Sequence, residues 1–419
     1  MDSLIAANSK FSFDFFQEIS KDDIHKNIFV CPLSISAAFG MVRLGARGDS
    51  AHQIDEVLHF NELSKSGSEE PCSKSKSEVL SDSSPEGQKQ TPAAQEQQDD
   101  STDENELLGC YFGKLLSRLD TAKAYYTLSM ANRLYGEQGF PICPEYSDGV
   151  TQFYHTTIES VDFRGDTEKS RQEINFWVES QCQGKIKELF SKEAITNATV
   201  LVLVNAVYFK AKWEKSFDSE NTVDAPFCLS ENEKKTVKMM NQKGKFRIGF
   251  IEELQAQILE MKYTMGKLSM LVLLPSCSDD NVKSLQELES KISHEKIMAW
   301  SSSENMPEES VSISFPQFVM EDSYDLNSIL QGMGIKDIFD ETKADLTGIS
   351  KSPRLHLSKI IHKSFVEVDE MGTEAAAASG AVAAEKALPL EFNADHPFLF
   401  FIRHNPTHTI LFCGRVYSP

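Results

Sequence analysis

The sequence predicts an α+β fold organised around one large mixed β-sheet. Three observations carry that expectation. Thr199–Phe209 and Leu268–Leu274 are apolar runs broken little or not at all, the pattern of strands buried on both faces. Val311-Ser312-Ile313-Ser314-Phe315 alternates strictly, as a strand with one buried face does. Between these strands lie segments with helical spacing, so neither an all-helical nor an all-strand chain fits.

The elements follow in chain order. Phe11, Phe15 and Ile19 recur every four residues and predict an amphipathic helix near the N-terminus. Ala51–Phe60 and Leu107–Leu119 are apolar-patterned, and between them Asn61–Glu104 is polar, lacks aromatics and offers bulk apolar surface only at Leu63, Val79 and Leu80. Such a stretch cannot offset its ordering entropy, so 61–104 is read as a disordered loop insertion inside a single domain spanning 1–419. Ile174–Phe190 reads as a helix and then a turn at Gly184. Tyr324–Met333 has Leu326, Ile329, Leu330 and Met333 at helical spacing, and Phe398–Ile402 with Thr409–Phe412 brackets a hairpin turn at Asn405-Pro406.

Composition excludes several functions. A net charge of −21 opposes binding to a nucleic-acid backbone or an anionic membrane, and no basic patch is legible, so no polyanion activator is expected. The longest apolar run, Val200–Phe209, is too short to span a bilayer, and Met1–Ser9 lacks a secretory signal pattern, so a soluble cytoplasmic protein is expected. The eight cysteines are irregularly spaced and read as free thiols. The sequon at Asn197-Ala198-Thr199 is then unused.

No enzyme motif is present. His404 and His408 could form a metal pair, but Pro406 between them argues for a turn and no third ligand is in view. Ser34 and His362 lack a nucleophile signature and read as a buried structural pair. No cofactor or metal is expected.

One stretch stands apart. Eight alanines lie between Ala375 and Ala387. Alanine favours helix, yet Gly380 interrupts the segment and no apolar stripe would dock it. As a strand, it would place Thr373, Ala375, Ala377, Ser379 and Ala381 on one small, weakly polar face and Glu374 on the other. The segment can therefore be an exposed loop or an inserted strand.

The stretch Val368-Asp369-Glu370-Met371-Gly372-Thr373-Glu374-Ala375-Ala376-Ala377 closely resembles the hinge of inhibitory serpins. Asp395-His396-Pro397-Phe398-Leu399-Phe400-Phe401-Ile402-Arg403 and Ile410–Val416 resemble the C-terminus of that family. Asn132-Arg133-Leu134-Tyr135-Gly136, Leu203–Lys210 and Ala344–Ser350 match it as well. The resemblance covers the chain outside 61–104. The absent signal, the start at the first helix and the Ser418-Pro419 ending are similar to the ovalbumin-type intracellular clade, some of whose members carry a polar insertion between the third and fourth helices.

The resemblance implies a serpin fold: a large central mixed sheet, two further sheets, about nine helices and an exposed reactive-centre loop over 370–390. It implies a monomer acting as a suicide substrate of a trypsin-like serine protease in a covalent complex. Catalysis would belong to the protease and not to this chain. The hinge would comprise Glu370, Gly372, Thr373, Glu374, Ala375, Ala376 and Ala377. Counting sixteen residues from Glu370 places the reactive bond between Lys386 and Ala387, and a lysine there suits an acidic specificity pocket. A cut after Leu388 is disfavoured by Pro389. Ser34, Asn205 and His362 would form a polar cluster where the sheet opens, and Trp213 would mark the point of loop entry. Cys31 stands where the family usually has serine. The competing expectation is a non-inhibitory serpin with a binding or chaperone-like role.

Overall fold

The computed structural model describes residues 1–65, 100–120, 126–230, 232–277, 281–371 and 388–419. Its elements run α1 (Asp2–Ser20), β1 (Ile28–Val30), α2 (Pro32–Gly45), α3 (Gly48–Val57), α4 (Asp100–Asp120), β2 (Tyr126–Glu137), α5 (Pro144–Tyr154), β3 (Ile158–Val161), α6 (Thr167–Gln181) and β4 (Leu201–Ala211). The chain continues with β5 (Val223–Ser230), β6 (Glu233–Ile251), β7 (Ala256–Lys262), β8 (Leu268–Pro275), α7 (Asn281–Lys291), α8 (His294–Trp300), β9 (Glu308–Pro316), β10 (Phe318–Asp325) and α9 (Leu326–Met333). It closes with β11 (Lys359–Val368), β12 (Leu390–Asn393), β13 (Phe398–His404) and β14 (Thr409–Val416). These are nine α-helices among the described residues.

The central sheet has five strands in the order β10-β11-β4-β2-β3. The two further sheets expected are hydrogen-bonded into one nine-stranded path, β1-β14-β13-β8-β7-β6-β9-β12 with β5 on β6. The join is β6, whose 19 residues pair in succession with β5 (Glu233 to Met239), β9 (Met239 to Arg247) and β7 (Arg247 to Ile251).

Both faces of β4 are covered, which explains its apolar run. Leu201, Leu203, Val207 and Phe209 enter the main core, while Val202, Val204, Ala206 and Tyr208 pack with Ile174 and Val178 of α6. Asp166 caps α6, accepting from the backbone N–H of Lys169. The helix stops where Gln183 and Gly184 turn to φ +53° and +74°. Pro32 occupies the first turn of α2, where its missing N–H costs nothing.

The margins of the polar stretch 61–104 are helical: a short 3₁₀ turn covers Phe60–Lys65, and α4 begins at Asp100. Residues 66–99 lie outside the described residues.

Candidate functional site: the sheet seam and the segment after β11

The seam between β4 and β11 is the one parallel contact in the middle of the central sheet. It runs in register from Lys359↔Val202 to Val366↔Phe209, with the antiparallel pairs β10/β11 and β2/β4 on either side. Parallel ladders have slanted hydrogen bonds and are slightly weaker per residue than antiparallel ones.

A polar row crosses the sheet at this seam. Tyr324 is the cross-strand partner of His362, His362 of Asn205, and Asn205 of Asn132. The N-terminus of α2 brings Cys31 and Ser34 beneath it. Asn205 Nδ2 donates to Ser34 Oγ at 2.9 Å and to Asn132 Oδ1 at 2.5 Å; Ser34 Oγ donates to Asn132 Oδ1 at 3.1 Å. Asn132 Nδ2 in turn donates to the Ser34 carbonyl at 3.2 Å. The backbone N–H of Cys31 donates to His362 Nε2 at 3.2 Å, so Nε2 is the acceptor and Nδ1–H donates to Asn205 Oδ1. Complete burial holds the imidazole neutral and pushes its pKa down to about 3. Ser364 Oγ closes the seam toward β1, donating to the Phe29 carbonyl at 2.6 Å. His362 bonds Asn205 and not Ser34, so the serine and histidine form no nucleophile–base pair.

Trp213 lies roughly 25 Å further along the direction of β4, by the rise of an extended strand. It belongs to a second site, the root of the loop that leaves β11. Its indole Nε1 donates to the Asp369 carbonyl at 3.0 Å and its backbone N–H to the Met371 carbonyl at 3.3 Å. Phe217 N–H donates to the Glu370 carbonyl at 2.8 Å, and Thr222 Oγ1 donates to the Glu370 carboxylate at 2.7 Å. The indole is fixed by Tyr263, stacked at 4.4 Å between centroids and 9° between planes. Three successive residues of the loop root are thus tied to one rigid aromatic platform. The chain re-enters at Leu388, which is 95% exposed, and Leu390–Asn393 then joins the edge of the nine-stranded sheet beside β9.

Ser34, Asn205 and His362 are brought together, Trp213 and Glu370 form the separate root, and Gly372, Thr373, Glu374, Ala375, Ala376, Ala377, Lys386 and Ala387 lie outside the described residues. Sequence reasoning quoted Asn132 only as part of a motif; its amide in an otherwise apolar strand was the available signal. Thr222 and Tyr263 gave none. Among the described residues, no cluster of three His, Cys, Asp or Glu could hold a metal, and His404 Nδ1 is paired with Thr407 Oγ1 at 2.7 Å.

A five-stranded sheet with a parallel central seam, a polar row across it and a long excursion from its end is serpin architecture. The chain belongs to the serpin family: the family model described as Serpin (serine protease inhibitor) matches residues 6–419. It is 80% identical to Serpin B12 of Mus musculus and 70% identical to Serpin B12 of Homo sapiens, each over the full length of both chains. Leukocyte elastase inhibitor A of Mus musculus is 42% identical, again over both whole chains. Among solved structures, uncleaved ovalbumin matches with a TM-score of 0.81 and 34% identity, covering 99% of this chain and all of that one. These relatives place the chain in the ovalbumin-type clade.

Proposed function

We propose that this serpin is a suicide-substrate inhibitor of trypsin-like serine proteases, cut between Lys386 and Ala387. The protease serine attacks the Lys386 carbonyl, the peptide bond to Ala387 breaks, and the Ala387 amine leaves, giving an acyl-enzyme. The freed segment then enters the central sheet between β4 and β11 and carries the protease with it before water reaches the ester.

The observation that carries this reading is the parallel β4/β11 seam. A strand that reverses direction at Glu370–Gly372 would run antiparallel to both neighbours, replacing one parallel ladder by two antiparallel ones. Fourteen residues from Thr373 to Lys386 would span about 46 Å as a strand, enough to carry an attached protease from one end of the sheet to the other. The small side chains of Thr373, Ala375, Ala377, Ser379 and Ala381 suit a face that must bury in the seam. Leukocyte elastase inhibitor A, a full-length relative, is named as an inhibitor of leukocyte elastase. The reading takes the protein to be a cytoplasmic monomer, as its clade implies. No helix of the described residues is long and apolar enough to cross a membrane.

The test is a denaturing gel of the purified protein mixed with trypsin. A covalent band heavier than either partner, absent in Lys386→Ala, is the expected outcome. Clean cleavage with no such band would turn the reading to a non-inhibitory binding role.

A further inference from the structure

Three helices meet at one buried arginine that neither the sheet seam nor the loop root involves. Arg43, near the C-terminal end of α2, donates through Nε to Asp55 Oδ1 of α3 at 2.6 Å and through Nη1 to Asn105 Oδ1 of α4 at 2.6 Å. Arg43 and Asn105 are each only 7% exposed. A cavity of about 220 Å³ opens against this bridge. Its apolar side is formed by Phe60, Leu63 and Leu108, all buried. The Phe60 ring is held edge-on by Phe112, with 5.8 Å between centroids. The lining comes from α2, α3, the 3₁₀ turn and α4, so no single stretch of sequence announces it.

The polar wall is only partly used by the protein. Arg43 spends Nε and Nη1, Asp55 one carboxylate oxygen, and Asn105 its amide oxygen. Arg43 Nη2, Asn105 Nδ2 and Asp55 Oδ2 have no hydrogen-bond partner among the described residues, and all three side chains line the cavity. The charges there already cancel, because Arg43 neutralises Asp55. Burial nonetheless pushes the Asp55 carboxyl up, which marks this wall as shielded from water. A further charge brought against it would lose hydration without gaining a counter-charge. Glu104, exposed at the rim, opposes an anionic head in particular. What fits is a neutral head that accepts from Arg43 Nη2 and Asn105 Nδ2 and donates to Asp55 Oδ2. A carboxamide does this with its oxygen and its N–H groups. The volume admits one ring, since an apolar cavity of ~150 Å³ takes up benzene.

We propose that this cavity is a binding site for a small neutral aromatic carboxamide, its ring against Phe60, Leu63 and Leu108 and its amide on Arg43, Asn105 and Asp55. The site uses no residue of the seam or the loop root, so it stands or falls apart from the inhibitory reading. A few convergent polar groups beside an apolar floor are the usual make-up of a small-molecule site.

The test titrates the full chain, with its leucine methyls labelled for NMR, with benzamide and with benzoate and benzamidine, the anionic and cationic analogues of the same shape. The expected result is a dissociation constant of about 1 mM for benzamide, as suits so small a ligand, with shifts confined to the methyls of Leu63, Leu107 and Leu108. Benzoate and benzamidine should bind at least about tenfold more weakly. Two variants locate the contacts. Asn105→Asp keeps an acceptor for Arg43 Nη1 but removes the Nδ2 donor, and Leu107→Trp fills the cavity from its half-buried rim. Each should weaken benzamide by about tenfold or more, with the melting transition of each variant measured to show that it is folded. The ranking of the three compounds on the native chain decides the head group without either variant. Benzamide binding unchanged in both folded variants, or shifts spread over leucines elsewhere, overturns the site. Benzoate or benzamidine binding as tightly as benzamide overturns the neutral head. No shift with benzamide at about 10 mM overturns the proposal outright.

Discussion

At the scale of single residues, the seam is governed by two side chains whose burial decides their chemistry. Cys31 is the N-cap of α2, and its side chain makes no capping hydrogen bond. Burial pushes its thiol up to about 12, so it is a neutral, weak donor and acceptor where a hydroxyl would cap well. Cys31→Ser is therefore expected to raise the melting temperature, because a capping hydroxyl is worth about 1 kcal/mol. Differential scanning calorimetry at one fixed scan rate checks this; an unchanged or lower midpoint would show that the thiol is not the weak point. His362 sets a pH dependence. Its native pKa is about 3, below the ordinary 6.5, so between these values the unfolded chain binds the proton and the native one does not. The contribution of the neutral ring is fully present above pH 6.5 and is lost as pH falls, at up to about 1.4 kcal/mol per pH unit. Asp55, Glu289 and Asp322 have carboxyl pKa values raised by burial, and so oppose the trend, but only toward the carboxylate range. Buried His404, pushed down to about 4, adds to the trend. The midpoint should fall from pH 7 to pH 5, and His362→Gln should fall less steeply because His404 is unchanged. Parallel curves would remove His362 as the titrating group.

At the scale of elements, what the sequence disclosed depended on whether a segment is explained by its own neighbours in the chain. The α1 helix and β4 were legible because their burial is nearly uniform along one stripe or both faces. The long strand β6 was not: its buried residues switch face at Met239–Met240, both buried, which breaks the period of two, and its exposed lysines make it read as solvated. Pairing was hidden altogether. Nothing in Lys359–Val368 indicates that it lies parallel to Leu201–Ala211, because that contact closes a loop of some 150 residues. The same holds for the polar row. Ser34, Asn205 and His362 are individually unremarkable and were grouped only through family resemblance, whereas their hydrogen bonds explain the grouping. Asn132 completes the cluster because β2 pairs antiparallel with β4, and register, not composition, puts the two amides side by side. Trp213 was likewise named from resemblance alone; in the structure its indole donates to the Asp369 carbonyl just after β11.

At the scale of the whole molecule, the proposed mechanism requires that the intact native form be a kinetic trap. The central sheet supplies the motive. Its β4/β11 seam holds eight in-register parallel pairs, from Lys359↔Val202 to Val366↔Phe209, and each of those residues would gain an antiparallel partner if a strand entered. In the proposed mechanism the intact chain is kept from that state by its two fixed ends, Glu370 held by Phe217 and Thr222, and Leu390–Asn393 held by β9. Cutting anywhere in 372–387 removes the second tether. The cut chain, produced by catalytic amounts of a protease that turns over instead of being trapped, is therefore expected to melt at least about 10 °C above the intact chain, the equivalent of several kcal/mol for a domain of this size. The shift should appear without any change in mass beyond hydrolysis of one bond. A cut chain that melts where the intact one does would mean the seam stays closed and no free energy is available to distort a protease. The polar row predicts the order of events: the fully buried His362–Asn205–Ser34 network must separate before a strand can pass between β4 and β11, so variants that weaken it should speed insertion after cleavage while lowering the stability of the uncut form.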